Sequence, residues 1–321
     1  MQRERSLVLH PGEPSTATTS LYTRELRGRL TIAAATDGTV HTQQAVVLAG
    51  HLAHALQASL KVLVTVRGRV GVAYAQQIMQ ATQELVRTLE PVPELIPLVG
   101  PADEVVGNYL EAHKFDLFVM GAFQDRGAGS VADIGTTAHH LLQYAPASVL
   151  IVKRPRLRKL LACVAVDDTH IVEMAIQWAK ALGAELQLVH SLIPEHEPHL
   201  IWSVTNDMPL DEILARGVYL QRPATVGDEM VALDSLLEQN TPLANFVRET
   251  ISKLEAAGLP RNALRVQRGK LMETVLAVAQ AQRPDLLIIG RHSTPGYFLS
   301  SAANSVASLA RCSVLVVHEG S

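Results

Sequence analysis

The sequence predicts an α/β protein made of two doubly wound parallel-sheet domains. Three observations predict it. Apolar runs of strand length alternate with helix-length segments through most of the 321 residues, as in chains of βαβ units. The runs are short, continuous and β-branched rather than alternating, as strands are when helices cover both faces of a sheet. The pattern also occurs twice, since two segments open with an apolar run ending in aspartate, Leu30–Asp37 and Leu160–Asp167. Right-handed crossovers leave a doubly wound sheet as the economical topology for each copy.

Residues 1–28 are polar and are expected to form a flexible tail, without an apolar core of signal-peptide length. The first domain is assigned to 29–153. After each aspartate, alanines recur at matching distances, Ala45 and Ala49 in one copy and Ala175 and Ala179 in the other. That spacing places small residues on one helical face, which lets a helix sit close to a sheet. Second strands follow at Leu60–Val66 and Leu186–His190, so on this alignment the first helix is four residues longer, about one turn. Gly100 precedes Asp116 by sixteen residues, and Gly269 precedes Asp285 by the same number. Each aspartate opens a strand ending in glycine, at Gly121 or Gly290. A small-residue loop, a helix and a last strand come next, Val149–Val152 or Val314–Val317. Residues 154–159 form a basic linker; with Lys153 it holds five basic residues in seven and is read as a solvated joint. The second domain is assigned to 160–318, with an insert at about 193–240 expected to be a loop with short helices.

The two last strands are apolar throughout and are placed at sheet edges, where a bare apolar edge invites aggregation. They are expected to pair with each other, making the chain an internal pseudo-dimer. The underlying proposition is a duplicated sheet-and-helix unit, each copy with its own cleft at the strand ends. A single merged sheet, or halves that differ strand for strand, would count against it.

Composition narrows the function classes. The formal net charge is −3, without the basic surplus that a nucleic-acid or anionic-membrane binder needs. With 2 Trp, 6 Tyr and 5 Phe, the core must be aliphatic. Two cysteines, Cys163 and Cys312, support neither a disulfide framework nor a four-cysteine zinc site, and both fall in apolar runs as buried thiols. The uncharged stretches Gly38–Leu60 and Ile134–Val152 carry histidines and glutamines and do not read as membrane spans. A cytoplasmic protein is expected.

In a doubly wound sheet, ligands bind beyond the C-terminal strand ends, where the strand order reverses. The first domain brings Asp37 and Gly38 to that crevice from strand one, and Met120 and Gly121 from strand four. The loop from Gly121 carries Gly127 and Gly129 and ends at Gly135, Thr136 and Thr137, where a helix would aim free N–H groups at an anion. Asp37 can accept from a sugar hydroxyl or a base amino group. The corresponding second pocket comprises Asp167, Gly290, Ser300 and Ser301.

These residues resemble the universal stress protein family, in tandem. The features that carry the resemblance are the strand-end Asp37, Met120-Gly121, Gly135-Thr136 and Ala145-Pro-Ala-Ser-Val-Leu-Ile-Val152. In the second half they are Asp167, Gly290 and Ala310-Arg-Cys-Ser-Val-Leu-Val-Val317. The resemblance implies a Rossmann-like fold of that type, stress-response work, and an ATP or AMP site with no metal. Nucleotide-binding members carry Gly-x-x-Gly, nine residues, then Gly-Ser/Thr, which neither half reproduces. Asp125 stands ten residues before Gly135, and Ser293 falls where domain two would need its second glycine. Micromolar affinity needs roughly 8 kcal/mol, and each lost bond to a charged phosphate removes about 1.5–3 kcal/mol.

Other constellations carry less. His51 and His54 share a helical face without a carboxylate to complete a metal site. His196-Glu197-Pro198-His199 offers two imidazoles, short of a zinc set. His139 and His140 follow the helix start, the former able to approach an anion. No P-loop, nucleophile elbow or His-Glu-x-x-His occurs. The expectation is a non-catalytic sensor of adenine nucleotide or another small ligand that passes its state to a protein partner. A nucleotide-independent scaffold is the alternative, and a slow nucleotide hydrolase using Asp125 or Asp133 a further one. The sequence leaves a homodimer open.

Overall fold

Every apolar run singled out above is a strand in the computed structural model, which describes residues 30–66, 72–122, 134–192, 230–291 and 301–318. The first half comprises β1 (Thr31–Thr36), α1 (Val40–Ala55), β2 (Ser59–Val66), α2 (Val72–Val86), β3 (Glu94–Val99), α3 (Ala102–Ala112), β4 (Leu117–Gly121), α4 (Thr136–Tyr144) and β5 (Ser148–Val152). The second begins with β6 (Lys159–Cys163), α5 (Thr169–Leu182), β7 (Glu185–Leu192), α6 (Leu233–Leu237) and α7 (Pro242–Ala256). It ends with β8 (Leu264–Arg268), α8 (Leu271–Gln282), β9 (Leu286–Gly290), α9 (Ser301–Leu309) and β10 (Ser313–Val317).

The sheet runs β3-β2-β1-β4-β5-β10-β9-β6-β7-β8. Read outward from the centre, the two halves have the same order, and every pair within a half is parallel. They meet at β5 and β10, which pair antiparallel with Val314 opposite Ile151 and Leu315 opposite Leu150. Each apolar edge therefore covers the other. The ten strands do form one sheet, which taken literally counts against the duplication as framed above. The merger is confined to this single antiparallel seam, however, and the strand order repeats on either side of it. The seam also has a geometric consequence: the C-terminal strand ends of the two halves point to opposite edges of the sheet.

Successive strand residues face opposite sides, and the core divides accordingly. Ile32, Ala34, Val62, Val64 and Val119 face Ala45, Ala49 and Leu52 of α1, and this layer continues across the seam to Ala162, Ala175 and Trp178. Ala33, Leu63, Phe118 and Ile151 face α3 and α4, and that layer continues to Val306, Val314 and Val316. The alanine stripes Ala45/Ala49 and Ala175/Ala179 are buried as their spacing requires. Among the described residues the buried aromatics are Phe118, Trp178 and Phe246, so the core is aliphatic. No described helix is long and apolar enough to cross a membrane.

The repeat alignment needs one correction. Asp116 accepts from the Thr31 N–H (2.8 Å) and hydroxyl (2.9 Å). Its counterpart Asp285 accepts from the N–H groups of Arg158 and Lys159 at 2.9 and 3.1 Å. Thr31 also pairs with Ser59 as Lys159 pairs with Glu185. Lys159 is thus the match of Thr31, and the strand register does not bring Asp167 to the place of Asp37. Aligning on the terminal aspartates slips the copies by two residues. A two-residue slip keeps every side chain on the same face of the strand, so the apolar pattern of Leu160–Val166 does not reveal it. For the same reason the first helices differ by two residues, 16 against 14, rather than four.

Candidate functional site

In the first half, α1 packs on one face of the sheet and α4 on the other. β1 and β4 are neighbours, with Ala34 opposite Val119. Their ends therefore open a crevice at the point where the strand order reverses. Asp37 lies there, exposed, and holds the turn into α1. Its Oδ1 accepts from the Thr39 N–H at 3.0 Å, the Thr39 hydroxyl at 2.7 Å and the Thr42 hydroxyl at 2.9 Å. Burial pushes its pKa up, but hydrogen bonds from Thr39 and Thr42 outweigh that and hold it below the ordinary value. Asp37 is thus ionised at neutral pH with one oxygen committed to the turn. Among the described residues Oδ2 makes no hydrogen bond and is available to an incoming donor.

Gly38 follows with φ +84°, which an L side chain adopts at a cost, and its N–H donates to Thr36 Oγ1 at 3.1 Å. Gly121 has a packing duty that the sequence alone does not reveal. A Cβ there would lie 2.7 Å from the carbonyl oxygen of His41. Its glycine therefore lets β4 end against the first turn of α1. Met120 is buried among the residues facing α3 and α4; it is part of the wall of the crevice rather than an exposed contact. Gly135 (φ +80°) precedes α4, and the first donor within the helix is His139, bonded to the Gly135 carbonyl at 3.0 Å. That leaves the N–H groups of Thr136, Thr137 and Ala138 outside the helical ladder. Thr136 and Thr137 are exposed. Gly127 and Gly129 lie outside the described residues.

The second half is built differently at the same place. Asp167 is exposed, while Asp168, passed over in the sequence, is buried. The Asp168 carboxylate accepts from the Ala165 N–H at 2.8 Å, closing the turn into α5. Nearby, His190 is buried, with Nδ1 2.8 Å from the Val164 carbonyl and its ring beside Phe246. Burial lowers the His190 pKa, against the raising effects of the Val164 carbonyl and Asp168. Burial, reinforced by the Asp168 charge, pushes the Cys163 thiol up to about 12. It is thereby held protonated. Gly290 ends β9 opposite Val317, and Ser301 opens α9; Ser300 lies outside the described residues. Asp168 stands directly before α5, yet its side chain makes no capping bond to the helix and serves the turn before it instead.

The described residues also outline a groove of about 570 Å³ in the second half, lined by Leu186, Met230, Val231, Leu233, Leu264 and Val266 among others. It lies at the starting ends of β7 and β8, away from the strand-end crevices. The described residues contain no group of three or more His, Cys, Asp or Glu side chains able to hold a metal.

The fold defines a class: tandem doubly wound domains joined in one chain. The sequence profile of the universal stress protein family matches residues 29–153 and again 157–318. The chain belongs to the universal stress protein family. Among solved structures, a functionally unknown protein from Pseudomonas aeruginosa PAO1 is similar over 90% of this chain and 92% of that one, at 17% identity and TM-score 0.59. A universal stress protein from Archaeoglobus fulgidus DSM 4304 is similar over 90% and 98%, at 14% identity and TM-score 0.55. These likenesses concern the fold. A comparison with curated proteins gives no match.

Proposed function

We propose that the chain is a non-catalytic, cytoplasmic stress-response sensor that binds an adenine nucleotide, ATP or AMP, in the first-half crevice. The observation that carries this is the arrangement at the β1/β4 switch point. There Asp37 presents one unused carboxylate oxygen on a turn fixed by three hydrogen bonds. Such an oxygen suits a ribose hydroxyl or an adenine amino group. The start of α4, where Thr136, Thr137 and Ala138 place their N–H groups outside the helical ladder, suits a phosphate. The unmatched glycine spacing of the loop argues for affinity weaker than micromolar.

A scaffold reading is favoured for the second half. Asp167 does not fall in strand register with Asp37, and the Asp168 carboxylate accepts the Ala165 N–H within its own turn. The second half then contributes the seam and a surface for a protein partner. The hydrolase alternative rests on Asp125 and Asp133, both outside the described residues.

Equilibrium dialysis of the full chain against labelled ATP tests the proposal. One site per chain is expected, abolished by Gly135→Asp with the fold intact by circular dichroism. No binding at millimolar ATP would replace the sensor with the scaffold, and undiminished affinity in Gly135→Asp would show that the site is elsewhere.

A further inference from the structure

The seam carries more than strand pairing. Two cations cross it, each ending on the carbonyls that close the other half's last helix. Arg291, directly after β9, donates from one guanidinium nitrogen to the Ala145 carbonyl at 2.9 Å and from the other to the Gln143 carbonyl. These are C-terminal carbonyls of α4, in the first half. Lys153, directly after β5, is buried, and its Nζ donates to the carbonyls of Ala307, Ser308 and Ala310 at 2.7, 3.2 and 2.6 Å. These close α9, in the second half. The last carbonyls of a helix have no partner within it, and a cation there also opposes the helix dipole.

The two contacts are not copies of one ancestral contact. By the strand registers, Arg291 matches Ala122, and Lys153 matches His318. Each half has therefore placed a cation at a different position for the same duty. Arg291 is also the first residue after β9, where the candidate loop of the second half begins. Its side chain, however, is fastened to the helix whose other end opens the first-half crevice.

We propose that these crossed caps couple the halves. The last helix of each half is held closed by a cation on the other, so a displacement of the chain after β9 loosens α4, and a displacement after β5 loosens α9. The coupling runs through hydrogen bonds between named atoms rather than through spatial proximity alone.

Hydrogen exchange of the full chain, read by mass spectrometry, tests this without any ligand, so its outcome is independent of the nucleotide reading. Arg291→Gln is expected to speed exchange of the α4 amides 141–145 at least five-fold while β1–β3 stay within two-fold of the parent. Arg291→Lys, which keeps a donor and the charge, should recover most of the protection. Lys153→Met should act reciprocally on 307–310. Unchanged α4 exchange in Arg291→Gln would overturn the proposal, as would a uniform loss of protection across both halves. If Arg291→Gln does not fold, Lys153→Met decides: faster exchange confined to 307–310 supports the coupling, and parent-like exchange there overturns it.

Discussion

At Gly121 an added side chain would meet backbone rather than a movable side chain. The added methyl of Gly121→Ala would sit 2.7 Å from the His41 carbonyl oxygen and 3.1 Å from Thr42 Cα, both backbone atoms of α1. No rotamer relieves such a contact, so strand or helix must move. Overpacking of this kind costs about 1–3 kcal/mol. Urea unfolding of Gly121→Ala should show a loss in that range, and parent-like stability would mean that β4 and α1 are not so closely apposed. Asp37 was legible in the sequence because it ends an apolar run, and its exposed place at the strand end follows. Asp168 was not, because two adjacent aspartates are indistinguishable until the turn decides which one faces inward.

At the scale of elements, strands and helices were readable from apolar runs and their punctuation, but their register was not. Leu160–Val166 is apolar at every position, so a two-residue slip leaves its pattern unchanged. Register is set instead by Asp116 and Asp285, each of which reaches back to the start of its neighbouring strand. A carboxylate accepting two backbone N–H groups is a strong hydrogen-bonding arrangement. Asp285→Ala should cost about 1–3 kcal/mol in thermal or urea unfolding, given that bonds to charged groups are each worth about 1.5–3 kcal/mol and this one is partly solvated. Asp285→Asn, which keeps one acceptor oxygen, should lose less. Equal losses in the two variants would contradict the assigned role.

For the whole molecule, the seam was legible because an apolar last strand in each copy needs a cover. What the sequence could not show is that the cover makes the sheet continuous, or that it turns the two crevices to opposite edges. A chain ending after Lys153 would expose β5, which is buried along its full length. On size-exclusion chromatography that fragment should dimerise or precipitate, and a stable monomer would show that the seam is dispensable. The proposed first-half site is less legible than the fold. Its loop departs from the glycine spacing that nucleotide binding is expected to need, while Asp37 and the start of α4 each lie at the strand ends of that half. The measurement that bears most directly on this account is a crystal structure of the full chain grown with millimolar ATP. Nucleotide density between Asp37 and Thr136 in the first half, with the second-half crevice empty, is the predicted result; ATP bound elsewhere, or both crevices empty at saturation, would contradict it.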